Sequence, residues 1–121
     1  MKTTIEQAVH GQAARASTAQ VAAYLQDVLG QRLSAVVAGV SDAKAVGKWA
    51  RGQRLPHHGA ELRLRHAFQI VQLLIQVESA ETVRAWFVGM NPDLEDEAPA
   101  LVLGKDPARA LQAARAFLAQ G

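Results

Sequence analysis

Lys44, Lys48 and Arg51 recur at i, i+4 and i+7 within DAKAVGKWARG, so on a helix they form one outward cationic stripe. A short line of positive charge on a helix suits the attraction of phosphates. Val46 and Trp49, three apart, take the opposite side, with Ala45 and Ala50 beside them, and give the helix an apolar back. That spacing assigns Trp49 to the core rather than to stacking on a base. Gly39 breaks the preceding apolar run of Leu33, Val36 and Val37, and Ser41-Asp42 can cap a second helix. Gly52 ends that helix, with Pro56 shortly after it. Two short helices, a glycine turn and a cationic front are what a helix-turn-helix needs to enter a major groove. The candidate nucleic-acid contacts are therefore Ser41, Ala43, Lys44, Gly47, Lys48, Arg51 and Arg54. Base reading would fall to Ala43, Lys44, Gly47 and Lys48, and phosphate attraction to the cations. Glycine inside a helix costs about 1 kcal/mol against alanine, so Gly47 is expected where a backbone or a phosphate comes close.

Other chemistry is thinly represented. His57-His58 with Glu61 and His66 invites a metal reading, but no second ligand pair stands at a defined spacing. There is no Ser/His/Asp order, glycine-rich phosphate loop or paired carboxylate, so neither catalysis nor a cofactor is expected. A hydrolase built on His57 and His58 would need bound metal. The acidic run Asp93–Glu97 suits solvent, a basic partner face, or holding that side away from DNA.

The 121 residues suit one domain or a domain with a small appendage, and half of them are hydrophobic, enough for a core. Alanine, leucine, valine, glutamine and arginine dominate and aromatics are few, which favours helices. The absence of cysteine excludes disulfides and thiolate metal sites and fits a reducing compartment. No apolar run approaches a membrane span and no signal pattern opens the chain, so the expectation is a cytoplasmic protein without a membrane partner. Charge is polarised. Between Asp42 and His66 six Lys/Arg face two acids, a net +4, whereas residues 67–121 hold four against seven, a net −3.

Residues 1–17 are polar and weakly patterned, a loose arm or a frayed helix. A helix capped by Ser17 or Thr18 carries Val21, Tyr24, Leu25 and Val28 and closes at Gly30. The longest periodic segment, Ala60 to Glu78, is apolar on more than one face and is predicted to be central. Ala80 to Val88 turns Val83, Trp86 and Phe87 inward. Gly89-Met90-Asn91-Pro92 stops it, and Leu94 anchors the acidic loop. A helical turn from Pro99 carries Leu101, Val102 and Leu103. Asp106-Pro107 then opens a last helix that buries Ala110, Leu111, Ala114, Phe117 and Leu118.

These residues resemble the Xre/MbcA/ParS-type antitoxins that accompany RES-domain toxins. One matching part is VVAGVSDAKAVGKWARGQ with ELRLRHAFQIVQLL; the other is VRAWFVGMNPDLEDEAPALVLGKDPARALQAARAFLAQG. The second, with Trp86, Asn91-Pro92, Leu94, Pro99 and the helix from Asp106, is the more specific. Together they cover about three quarters of the chain, residues 30–121. The family often has a glycine between Leu94 and Pro99, where this chain has Glu95-Asp96-Glu97, and the turn between Gly39 and Val46 is one residue longer than in generic Xre repressors. The resemblance implies an all-α fold, an Xre-like helix-turn-helix bundle with a small C-terminal helical toxin-binding domain. The expected division is an arm at 1–17, a DNA-binding domain at 18–78 and a toxin-binding domain at 79–121. It implies a type II antitoxin, not an enzyme, that neutralises an NAD-degrading RES-type toxin and represses its own operon as a homodimer on operator DNA. The antitoxin's C-terminal end obstructs the toxin's cleft in that family, which points here to Phe117, Ala119, Gln120 and Gly121. The alternatives are a solitary helix-turn-helix regulator and a protein-interaction module.

Overall fold

A computed structural model describes residues 2–120. The helices are α1 Lys2–Arg15, α2 Thr18–Leu29, α3 Gln31–Ala38, α4 Ala43–Ala50, α5 His58–Leu74, α6 Ala80–Val88, α7 Pro99–Val102 and α8 Pro107–Gln120. A 3-10 turn, Pro92–Leu94, lies between α6 and α7. Among the described residues there is no strand, only an isolated bridge from Asn91 to Glu97. The protein is all-α, and no helix among the described residues is long and apolar enough to cross a membrane.

Local chemistry sets most helix ends. Ser17 begins α2 with a reciprocal capping box, its hydroxyl accepting from Gln20 N–H while the Gln20 side chain accepts from Ser17 N–H. Asp42, Ser79 and Asp106 accept backbone N–H groups at the starts of α4, α6 and α8. Gly39 and Gly52, both in the left-handed region at φ 76° and 72°, close α3 and α4 in the same way. In each, the glycine N–H and the next N–H turn back to two carbonyls of the last helical turn.

The central element is α5, which packs on α1, α2, α3 and α8. It buries Leu64, Ala67, Phe68, Ile70, Val71 and Leu74, and Phe68 meets Tyr24 edge-on at 5.1 Å between ring centroids. The helix stops at Leu74, earlier than Glu78, because Gln76, Val77 and Glu78 bond back to Leu73 and Leu74 in a turn that swings the chain towards α6. Val77 is thereby left in solvent.

Residues 2–15 form α1 rather than a loose arm. Val9 is buried, the helix lies on α5, and Glu6 pairs with Arg115 of α8. The segments expected as a DNA-binding unit and a C-terminal unit share one buried cluster, running from Val21 through Val46, Trp49 and Phe68 to Phe87, Leu103 and Ala114. It is stitched by α6 against α2, α7 against α3 and α8 against α5.

Leu94 is buried beneath the loop after the 3-10 turn. Asp96 N–H bonds Asn91 C=O, and Asn91 N–H bonds Glu97 C=O. To make that closure Glu95 and Asp96 both adopt positive φ, 55° and 65°. A non-glycine residue in that region is strained by about 1–2 kcal/mol, and glutamate lacks the local bonding that eases aspartate there. Glu95→Gly is therefore expected to raise stability by about 0.5–1 kcal/mol, read by thermal or urea unfolding. A destabilised variant would show that the side chain is needed there.

A cleft of about 670 Å³ opens between α1, α5 and α8, lined by Glu6, His10, His66, Gln69, Leu111 and Arg115 among others. Burial disfavours the charged form of His66 and lowers its pKa. The unfolded chain thus binds the proton more tightly, so stability is complete above the ordinary histidine range and declines as pH falls through it towards the lowered value. Between neutral pH and about pH 5 the wild-type melting temperature should fall more steeply than that of His66→Gln. Parallel curves would refute this linkage.

Candidate nucleic-acid interface and C-terminal cleft

The middle of α4 divides between two environments, with half-buried Ala43 and Ala50 at its ends. Ala45, Val46 and Trp49 are buried against α2 and α3, whereas Lys44 and Lys48 are exposed, continued by exposed Arg51 and Arg54 beyond the helix end. None of these four cations is in an ion pair among the described residues; Arg51 donates only to the Gln53 side chain, at 3.2 Å. Their charge faces solvent unneutralised, which is the electrostatic requirement for holding phosphates. Exposed Ser41 and half-buried Ala43 lie at the start of this surface.

Gly47 is the exception among the expected contacts. It is buried, and a Cβ built on it would lie 2.8 Å from Gln31 Nε2 and 3.2 Å from an Arg51 guanidinium nitrogen. The group that comes close is the side-chain pair Gln31 and Gln26, joined by a 2.8 Å hydrogen bond. Neither a second backbone nor open solvent lies over it, so direct base contact at Gly47 is set aside. The same geometry introduces Gln31, an exposed amide at the first position of α3 that approaches α4 beside Arg51. No sequence spacing could link it to α4, because its neighbour lies sixteen residues further along the chain.

The basic segment is also less available than its net charge implies. Arg63 is half-buried, reaches the Ala38 carbonyl and lies against Gly39 and Gly104. Arg65 donates to the Ala16 carbonyl at 2.8 Å and to Thr18, and pairs with Glu61. Both arginines hold helices together, leaving the exterior charge to Lys44, Lys48, Arg51 and Arg54.

The Ser41-Asp42 turn and the loop after α4 face each other across a hollow lined by Ser41, Asp42, Trp49, Arg54, Leu55 and His57 among others. The buried indole N–H of Trp49 has no acceptor among the described residues. His57 accepts from Ala60 N–H through Nδ1 at 3.1 Å and so caps α5, which puts its proton on Nε2 when the ring is neutral. His66 lies instead in the cleft under α1. Among the described residues no three His, Asp or Glu side chains gather in a metal-holding group.

At the other end of the molecule the structure brings Phe117 and Gln120 into one cleft, of about 310 Å³, with Trp86, Met90, Asn91 and Asp93. Ala119 is exposed and outside that lining, and Gly121 lies outside the described residues. Trp86, edge-on to Phe87 at 5.1 Å, has no acceptor for its buried indole N–H among the described residues. By helical period Trp86 and Phe117 read as packing residues, and the resemblance alone points to Phe117 as a contact; the period does not reveal that both line one cleft.

No protein-family model, curated protein or solved structure matches the chain.

Because the atoms nearest an added Gly47 methyl are the far ends of flexible side chains, Gly47→Ala is expected to be tolerated. It should gain up to about 1 kcal/mol of helix stability while displacing Gln31. Urea unfolding checks the gain, and a loss of more than that amount would show the two amides to be locked in place.

Proposed function

We propose that this protein is a type II antitoxin that binds a RES-type toxin and represses its own operon as a DNA-binding homodimer. The observation that carries the DNA half is the unpaired row Lys44, Lys48, Arg51 and Arg54 on and just after a helix whose other side is sealed by Val46 and Trp49. In this reading α3, the Gly39–Asp42 turn and α4 act as a helix-turn-helix, with α4 in the major groove. Lys44 and Lys48 hold phosphates, Ser41 and Ala43 lie nearest the base edges, and Gln31 joins them from α3. A helix of eight residues reaches few base pairs, so useful specificity calls for two copies on a two-fold operator.

The antitoxin half draws on the family resemblance of residues 83–121 and on the cleft where Phe117 and Gln120 meet Trp86. The chain itself performs no reaction in this reading and takes no cofactor; it acts by occupying DNA and toxin.

Two measurements test the proposal. Fluorescence anisotropy on the protein's own promoter should give tight binding that weakens steeply with salt. Lys44→Ala and Lys48→Ala should each lower affinity across sequences and reduce the salt slope by about 1. Wild-type slopes in both variants would remove these lysines from the interface. Co-expression with a RES-domain protein encoded beside it should give a co-purifying pair and relieve growth arrest. DNA binding without association would leave the solitary regulator; association without DNA binding would leave the interaction module.

A further inference from the structure

The cleft between α6, the 3-10 turn and α8 has a chemistry more specific than a general apolar groove. Its walls are aromatic, Trp86 from α6 and Phe117 from α8. Met90, one of its lining residues, has 81% of its surface exposed, so a large apolar side chain is left in water at the cleft. Trp86 is buried, yet its indole N–H has no acceptor among the described residues. A buried donor of that kind costs about 1–3 kcal/mol until an acceptor is supplied.

Asp93 is the one charged side chain among the described residues that line the cleft. The nearby acids divide into two sets. Glu97 is paired with Lys105 at 2.6 Å, and Glu95 lies 4.0 Å from Arg109. Asp93 and Asp96 have no ion-pair partner among the described residues. The cleft is thus aromatic inside, lined by thioether and amide groups, and negative at the rim.

We infer that this cleft receives an arginine side chain presented by an apolar segment of a partner protein. A guanidinium can lie flat against an indole or phenyl face while its fork reaches a carboxylate with two parallel bonds, and its stem can pack along Met90. Trp86 lines the same cleft, so its indole signal reports on occupancy. An acidic segment is disfavoured because no basic side chain lines the cleft among the described residues. The inference rests on the antitoxin reading for the partner's identity, and it assigns that partner's docking segment its charge and shape.

The test uses the full chain and two blocked tripeptides as probes, leucine-arginine-phenylalanine and leucine-glutamate-phenylalanine. In a ¹⁵N–¹H spectrum the Trp86 indole signal, assigned with Trp86→Phe, should move on titration with the arginine peptide and stay put with the glutamate peptide. Asp93→Asn should weaken that response about tenfold, the loss of one charge-assisted contact. In co-expression with the neighbouring RES-domain protein, Met90→Lys and Asp93→Lys, both at exposed positions, should lose the partner while keeping wild-type melting and DNA affinity.

An unmoved indole signal, or equal responses to the two peptides, overturns the inference. So does a signal that moves with protein concentration alone and is fixed by Met90→Lys, since a second copy of the chain would then be the occupant. If the wild type captures the RES-domain protein and both variants capture it equally well, the cleft is wrong and the antitoxin reading stands. If the wild type captures none, the antitoxin reading falls, and the peptide titration still decides what the cleft holds.

Discussion

Burial of Val46 and Trp49 is the constraint on which the rest of the molecule hangs. A helix advances 3.6 residues per turn, so two inward residues three apart leave Lys44 and Lys48 no choice but the outside. Trp49 is buried in the core shared with α2 and α3 and borders the hollow beneath the loop after α4. Substituting it would remove the reference that aims the cations, and the outward charge would be lost with the fold rather than through any direct contact. The glycine closures at Gly39 and Gly52 serve the same end, since each turns the chain sharply without covering the exposed face.

What the sequence revealed and what it concealed depend on the range of the forces involved. Caps and stops are local, so Ser17, Asp42, Ser79, Asp106, Gly39 and Gly52 could be read from neighbours within a few positions. The face of α4 was legible for the same reason. The helix α1 was not, because residues 2–15 have no strong apolar stripe and are held by packing on α5 and by the Glu6–Arg115 pair, whose members are far apart in the chain. Val36 and Leu101 look like core residues by type yet stand exposed, while Ser34 and small Ala35 and Ala38 face inward where α3 crosses its neighbours.

Charge shows the same limit. Six cations between Asp42 and His66 look alike in a sequence, but a guanidinium can also bond backbone carbonyls, and carbonyls leave no mark in residue type. Arg63 and Arg65 have taken that internal role at Ala38 and Ala16. Gly47 is a related case: its neighbours Gln26 and Gln31 belong to other helices, so the reason for a glycine there is visible only in the folded chain. The loop at Glu95 and Asp96 is the converse. There the resemblance pointed to glycine, and the backbone adopts the glycine-like conformation with acidic residues in place.

One consequence of the shared buried cluster bears on how the two ends can be studied. Val83 and Phe87 on α6, Val102 on α7 and Ala110 on α8 complete the interior that α2, α3 and α5 begin. Dividing the polypeptide after Glu78 would therefore strip oily surface bare on both fragments at once. Mapping by deletion would mistake collapse for lost contact, and only point changes on the solvent side can tell the two ends apart.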